Sequence, residues 1–221
     1  VIIAIEGVDG VGKTTLAKTL ANRLGAVYQK FPDRTTISGS AIDYALRGRP
    51  ASSCMSAECF QALNTVNRLE CLEHLTKAAG SATNHLVCDR YTMSSLVYGG
   101  LDGLPHDWLV TVAEKPLPEA DLQVLLTANP NKIECGRLAG RDREHYEQGG
   151  VAIVTALQAR FEALWCARGC CCEPVLVWGH RWKVVDTSHA NAAEVLCRVE
   201  GWVQFLIRRC HENKPGRLGH A

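Results

Sequence analysis

The stretch EGVDGVGKTT, residues 6–15, stands directly behind the apolar run Val1-Ile2-Ile3-Ala4-Ile5. Its Gly7-x-x-x-x-Gly12-Lys13-Thr14 spacing is that of a Walker A loop, and a strand before with a helix after is the context that loop requires. Glycines let backbone N–H groups turn inward onto phosphate, and the N-terminus of the following helix adds a favourable dipole. In this reading Gly7, Gly10 and Gly12 shape the ATP loop, and Lys13 reaches the β- and γ-phosphates. The Thr14 hydroxyl meets Mg²⁺, and Thr15 bonds the α-phosphate. Two positions pose a question. Asp9 sets a carboxylate beside a polyanion, Gly10 brings no charge, and something besides Lys13 must supply cations.

Outward from the loop, β-rich runs alternate with helical ones. Residues 1–5, 26–31, 85–89, 122–127 and 182–186 are predicted strands, near-continuous apolar runs that suit strands covered on both faces. Residues 14–24 are predicted helical, with Leu16, Leu20 and Leu24 on one stripe and Gly25 as the stop. Residues 54–79, 151–168 and 191–209 give three more helical stretches. The alternation predicts an α/β fold of the P-loop NTPase class, a five-stranded parallel sheet with helices on both faces. A single domain is expected over residues 1–210, followed by a mobile polar tail, 211–221.

Of the 221 residues 47% are hydrophobic and 21% charged, with a formal charge of +1, a composition that allows one domain with a full core. That balance leaves no electrostatic footprint for nucleic acid or an anionic membrane. No apolar run nears the ~20 residues of a membrane span. Eleven cysteines, irregularly spaced, match no zinc pattern. They read as free thiols of a reducing, cytoplasmic setting.

A phosphate loop alone does not separate kinases from switches or motors. NKIE, residues 131–134, resembles a guanine-reading motif, but it has Glu for Asp and no D-x-x-G follows the third strand. Arginines decide more. FPDR (31–34) follows the second strand and DRY (89–91) the third. Ligands of an open parallel sheet lie beyond the carboxyl ends of its strands, so Arg34 and Arg90 are expected to converge beside the loop. Two guanidinium groups there suit a phosphate other than the nucleotide's own. Asp89, closing the third strand, is the expected partner of Mg²⁺ through water.

In chain order EGVDGVGKTT, FPDRTT, the NR of 67–68, DRYTMSSLVY, an arginine-bearing segment ending HYE, and WKVVDTS resemble the thymidylate kinases over roughly residues 1–205. FPDR combined with DRY-x-x-S-x-x-x-Y is the more specific part. The resemblance implies a nucleoside monophosphate kinase that transfers the ATP γ-phosphoryl group to thymidine monophosphate with Mg²⁺. It also implies a homodimer packed through helices beside the sheet.

The resemblance further implies roles for single residues. Arg34 and Arg90 hold the acceptor phosphate near Phe31, and Arg68 donates to a thymine carbonyl. Ser94 and Ser95 lie by the base, and Tyr98 abuts the sugar's C2′. Asp9 faces the acceptor's 3′-hydroxyl or a metal, so it orders the acceptor rather than repelling ATP. Asn64 stands where the family usually has a phenylalanine stacked on thymine, with Phe60 one turn earlier. Gly10 groups the chain with members whose mobile lid, here about 135–148, brings the missing charge. Arg137 is expected near the ATP base, Arg141 or Arg143 at the transferred phosphoryl group, and Tyr146 with Glu147 against the acceptor. VDTS (185–188) is expected along the adenine pocket, and residues 167–181 read as an insertion with no assigned role.

Overall fold

Strand β1, Ile2–Glu6, is buried along its whole length. Successive side chains point to opposite faces, so each face needs its own cover. Ile3 and Ile5 pack with Leu16 and Leu20 of α1 (Lys13–Leu24) and with Val199 and Val203 of α9 (Ala192–Glu212). Ile2 and Ala4 pack on the other side with Leu75 and Ala78 of α4 (Leu72–Ala78). Burying each Val, Leu or Ile side chain among these is worth about 1.5–3 kcal/mol, and this two-sided cover fixes a helix–sheet–helix sandwich. The computed structural model describes residues 1–47, 55–81, 83–137, 144, 146, 149–168 and 181–212, with the backbone alone at 136 and 137.

The sheet is parallel throughout, in the order β2-β3-β1-β4-β5. β3 (Leu86–Asp89) and β4 (Leu122–Thr127) are wholly buried like β1. The edge strands β2 (Val27–Lys30) and β5 (Trp182–Asp186) are partly open, unlike the two-sided cover expected of all five. Register places Asp89 opposite both Ile5 and Lys30. The loop after β1, the end of β3 and the end of β2 therefore share one edge of the sheet.

Helix α1 stops at Gly25, whose left-handed backbone turns its N–H onto the Ala21 and Asn22 carbonyls. The stretch expected to be helical over 54–79 instead divides into α3 (Ala57–Leu69) and α4, with a turn at Glu70 and Cys71. The reason lies in what each half buries. α3 turns Gln61, Thr65, Asn67 and Arg68 inward, whereas α4 buries Leu75 and Ala78, and a straight helix cannot serve both surfaces. The remaining helices are α2 (Ile37–Leu46), α5 (Thr92–Leu101), α6 (His106–Leu109), α7 (Pro130–Lys132) and α8 (Gly150–Ala167). α6 and α7 run on into π-helical turns, Val110–Glu114 and Ile133–Arg137. α9 includes His211 and Glu212, which the sequence reading gave to the tail. Most of that tail, and residues 169–180 of the insertion, lie outside the described residues. Among the described residues no helix is long and apolar enough to cross a membrane, and seven cysteines are unbridged.

Candidate active site

The loop after β1 is pressed against β4: a Cβ on Gly7, whose φ is +135°, would stand 2.4 Å from the Leu126 carbonyl oxygen. Only glycine permits that approach. The Lys13 ammonium, buried under the loop, donates to the Val8 carbonyl at 2.7 Å and lies 3.5 Å from Asp9. Burial, and after it the nearby Arg90, lowers its pKa to about 8. The Thr14 hydroxyl donates to Asp89 at 2.5 Å, and the Tyr28 hydroxyl reaches the same carboxylate oxygen at 3.3 Å. A cavity of about 670 Å³ opens beside Gly10, Lys13, Thr14, Thr15 and Asp89, and Thr187 of the VDTS segment borders it. Thr187 is buried and donates to the Val11 and Thr127 carbonyls at 3.2 and 3.1 Å, tying the end of β5 to the loop.

Arg90 has a φ of 70°, a conformation that costs a side-chain-bearing residue about 1–2 kcal/mol. Its neighbours hold it there. The Arg90 N–H donates to the Ile5 carbonyl at 2.9 Å. Glu6, wholly buried at the end of β1, accepts from the N–H groups of Tyr91 and Ser94 at 2.8 and 3.2 Å and from the Ser94 hydroxyl at 2.6 Å. Ser94 in turn accepts from Arg90 at 3.1 Å, and the guanidinium also donates to the Gly7 carbonyl at 3.2 Å. Its strongest partner is Asp9, at 2.6 Å. Burial alone would raise the Asp9 pKa, but Arg90 and then Lys13 hold it well below the usual carboxylate range. Glu6 was not singled out from sequence; its signal is one charge closing an otherwise aliphatic strand.

A second cavity, of about 160 Å³, adjoins the first. Every described residue assigned to the acceptor from sequence lines it: Asp9, Phe31, Arg34, Asn64, Arg68, Arg90, Ser94, Ser95, Tyr98 and Tyr146. Arg68 is buried and donates to Ser95 at 3.0 Å, to the Tyr91 carbonyl at 2.7 Å and to the Asn64 carbonyl at 3.2 Å. Burial lowers its pKa to about 10. Arg34 bridges Asp43 at 3.0 Å and pairs with Glu144. The Tyr98 ring lies 4.8 Å from Tyr146 and 5.2 Å from the Arg90 guanidinium. Tyr146 also donates to Asp102 at 2.5 Å. The Asn64 amide is turned onto the Phe60 carbonyl at 3.0 Å, and Phe60 sits 6.2 Å from Tyr146.

The roles of three further residues escaped the sequence reading. The buried Asn67 accepts from the Asp33 N–H at 2.7 Å and donates to Thr36 at 2.9 Å and Ser38 at 3.0 Å, locking the segment that carries Arg34. Gly39 lets α2 close on that segment, since a Cβ there would stand 1.7 Å from the Asp33 carbonyl oxygen. Gln61, buried on α3, lines the smaller cavity, and its amide nitrogen has no hydrogen-bond partner. The side chain of Arg137, and Arg141, Arg143 and Glu147 entirely, lie outside the described residues.

Comparison with known proteins agrees with this geometry. The family model for thymidylate kinase matches residues 5–169. A probable thymidylate kinase of Methanococcus maripaludis is 36% identical over 150 residues, 66% of this chain and 69% of that protein. The thymidylate kinase of Dictyostelium discoideum is 32% identical over 66% of this chain and 65% of its own length. That of Danio rerio is 29% identical over 98% of this chain and 96% of its own. The solved thymidylate kinase of Candida albicans superposes with a TM-score of 0.72 at 23% identity, covering 95% of this chain and 92% of that one, which speaks to the fold. With the family match spanning the phosphate loop, the arginine-bearing strand ends and the cavity between them, this chain belongs to the thymidylate kinase family.

Proposed function

We propose that the protein transfers the γ-phosphoryl group of ATP to thymidine monophosphate, giving thymidine diphosphate and ADP. The observation that carries the reading is the meeting of two cavities beside the phosphate loop, one bordered by Lys13 and Thr14 and the other by Arg34, Arg68 and Tyr98. An oxygen of the acceptor phosphate attacks the γ-phosphorus. The bond to the β–γ bridging oxygen breaks, and its electron pair leaves on ADP. Little covalent chemistry falls to the protein, so positioning and charge neutralisation carry the rate.

Arg90 is aimed at the junction by its Glu6-anchored turn, and Arg34 sits beyond it for the acceptor phosphate. Tyr98 backs the sugar. A ribose hydroxyl set against that buried ring would lose hydrogen bonds worth about 1–3 kcal/mol. The Thr14 hydroxyl and the Asp89 carboxylate, 2.5 Å apart, form an all-oxygen pair that suits Mg²⁺. Bound there, Mg²⁺ would neutralise the β- and γ-phosphates. Arg137, Arg141 and Arg143 are assigned to a closing lid on the strength of the family pattern. A cytoplasmic homodimer is part of the same reading, supported by the exposed Val66 and Leu69 on α3.

The test is ADP release from Mg-ATP with thymidine monophosphate, deoxyuridine monophosphate, uridine monophosphate and thymidine as acceptors. Turnover is expected in that order, strongest with the first and negligible with the last two. Good turnover with thymidine would overturn the acceptor-phosphate assignment.

A further inference from the structure

Three side chains border both cavities: Asp9, Arg90 and Lys30. Lys30 ends β2, paired in register with Asp89. Strand alternation puts it on the same face as Tyr28, the face on which the Tyr28 ring packs with the α1 side of the core and its hydroxyl reaches Asp89. One residue later Phe31 faces the other way, packed with Tyr91 and Ile2. The Lys30 side chain is thus directed along the phosphate-loop side at the carboxyl end of the sheet.

Its ammonium differs from the other described cations at the junction. Lys13 is engaged by Val8 and Asp9, Arg90 by Asp9, Gly7 and Ser94, and Arg34 by Asp43 and Glu144. Lys30 makes no ion pair or side-chain hydrogen bond with any described residue, and it is exposed. No described carboxylate uses its charge, and its place is the seam that the migrating group must cross.

Resting on the thymidylate kinase reading, we infer that Lys30 is a catalytic cation of the transfer, contacting the phosphoryl group as it passes from donor cavity to acceptor cavity. The migrating group carries its charge on three equatorial oxygens while it lies in line between the attacking and leaving oxygens. A cation that meets the group at the seam binds that state better than either ground state, which is the condition for raising kcat rather than lowering KM. The bonds made and broken are those of the transfer itself. Lys30 gives up no proton and remains an ammonium, and it adds to the charge expected from the lid.

The experiment compares the unmodified protein with Lys30→Met, which keeps the chain length without charge, and Lys30→Arg, which keeps the charge. Steady-state kcat and both KM values are read for ATP and thymidine monophosphate, with binding of a non-hydrolysable ATP analogue and Tm as controls. Lys30→Met is expected to lower kcat about 10²-fold, with both KM values, analogue binding and Tm near those of the unmodified protein. Lys30→Arg is expected to recover most of the loss. Unchanged kcat in Lys30→Met, or a loss confined to the acceptor KM, would overturn the assignment. No transfer by the unmodified protein would overturn the kinase reading and this inference together.

Discussion

Lys13 has a pKa lowered to about 8, against about 10.4 in an unfolded chain. Between those values the unfolded chain holds the proton and the folded one does not, so the Lys13 contribution to stability improves as pH rises from 8 toward 10. Phosphate favours the charged form. ATP binding at a pH just above 8 is therefore expected to take up a proton, measurable by calorimetry in buffers of different ionisation enthalpy. Zero uptake would mean that Lys13 is already charged. Gln61 gives a second residue-scale prediction. Its unpartnered amide nitrogen costs the ligand-free protein about 1–3 kcal/mol, a penalty that a pyrimidine carbonyl in the cavity relieves. Gln61→Leu is expected to keep or raise Tm and to raise the KM for thymidine monophosphate about tenfold. An unchanged KM would assign the amide to internal packing. The phosphate loop and the two strand-end arginines were legible in sequence because their spacing or their place after a strand carries the chemistry. Glu6, Gln61 and Lys30 were not, since each matters through neighbours far away in the chain.

At the scale of elements, the strands were legible because aliphatic runs leave few alternatives. Which strands are edges was not, because that depends on the crossover order β2-β3-β1-β4-β5. Helix α3 shows the same limit. Its inward face is polar, with Gln61, Asn67 and Arg68 buried, so no hydrophobic stripe marks where it ends and α4 begins. Asn67 does the local fastening, holding Asp33, Thr36 and Ser38 while Ser38 donates to Glu70 at 2.7 Å. Asn67→Ala strands those groups and is expected to cost about 1–3 kcal/mol of stability. It is also expected to raise the acceptor KM, because Arg34 rides on the released segment, while ATP-analogue affinity holds. Chemical denaturation together with the two binding measurements checks this. Equal loss of both affinities would show that the segment serves the whole site.

Across the whole molecule, three cations of the site are already matched by the protein's own carboxylates, Arg90 and Lys13 by Asp9, and Arg34 by Asp43 with Glu144. Loading the site is thus an anion exchange, in which each arriving phosphate must outbid a resident monoanion. A dianion wins that contest by charge number, and a monoanion holds no such advantage. The second ionisation of a phosphate ester lies near pH 6, whereas Asp9 stays ionised far below that because Arg90 and Lys13 overcome the effect of its burial. Between pH 7 and 5 the newcomer loses charge and the resident does not. The acceptor KM is expected to climb about tenfold over that interval, and to climb less in Asp9→Asn, where the competitor has no charge to defend. The fold therefore sets a floor on the pH at which it can be loaded, and it does so with a carboxylate that keeps its charge across that interval.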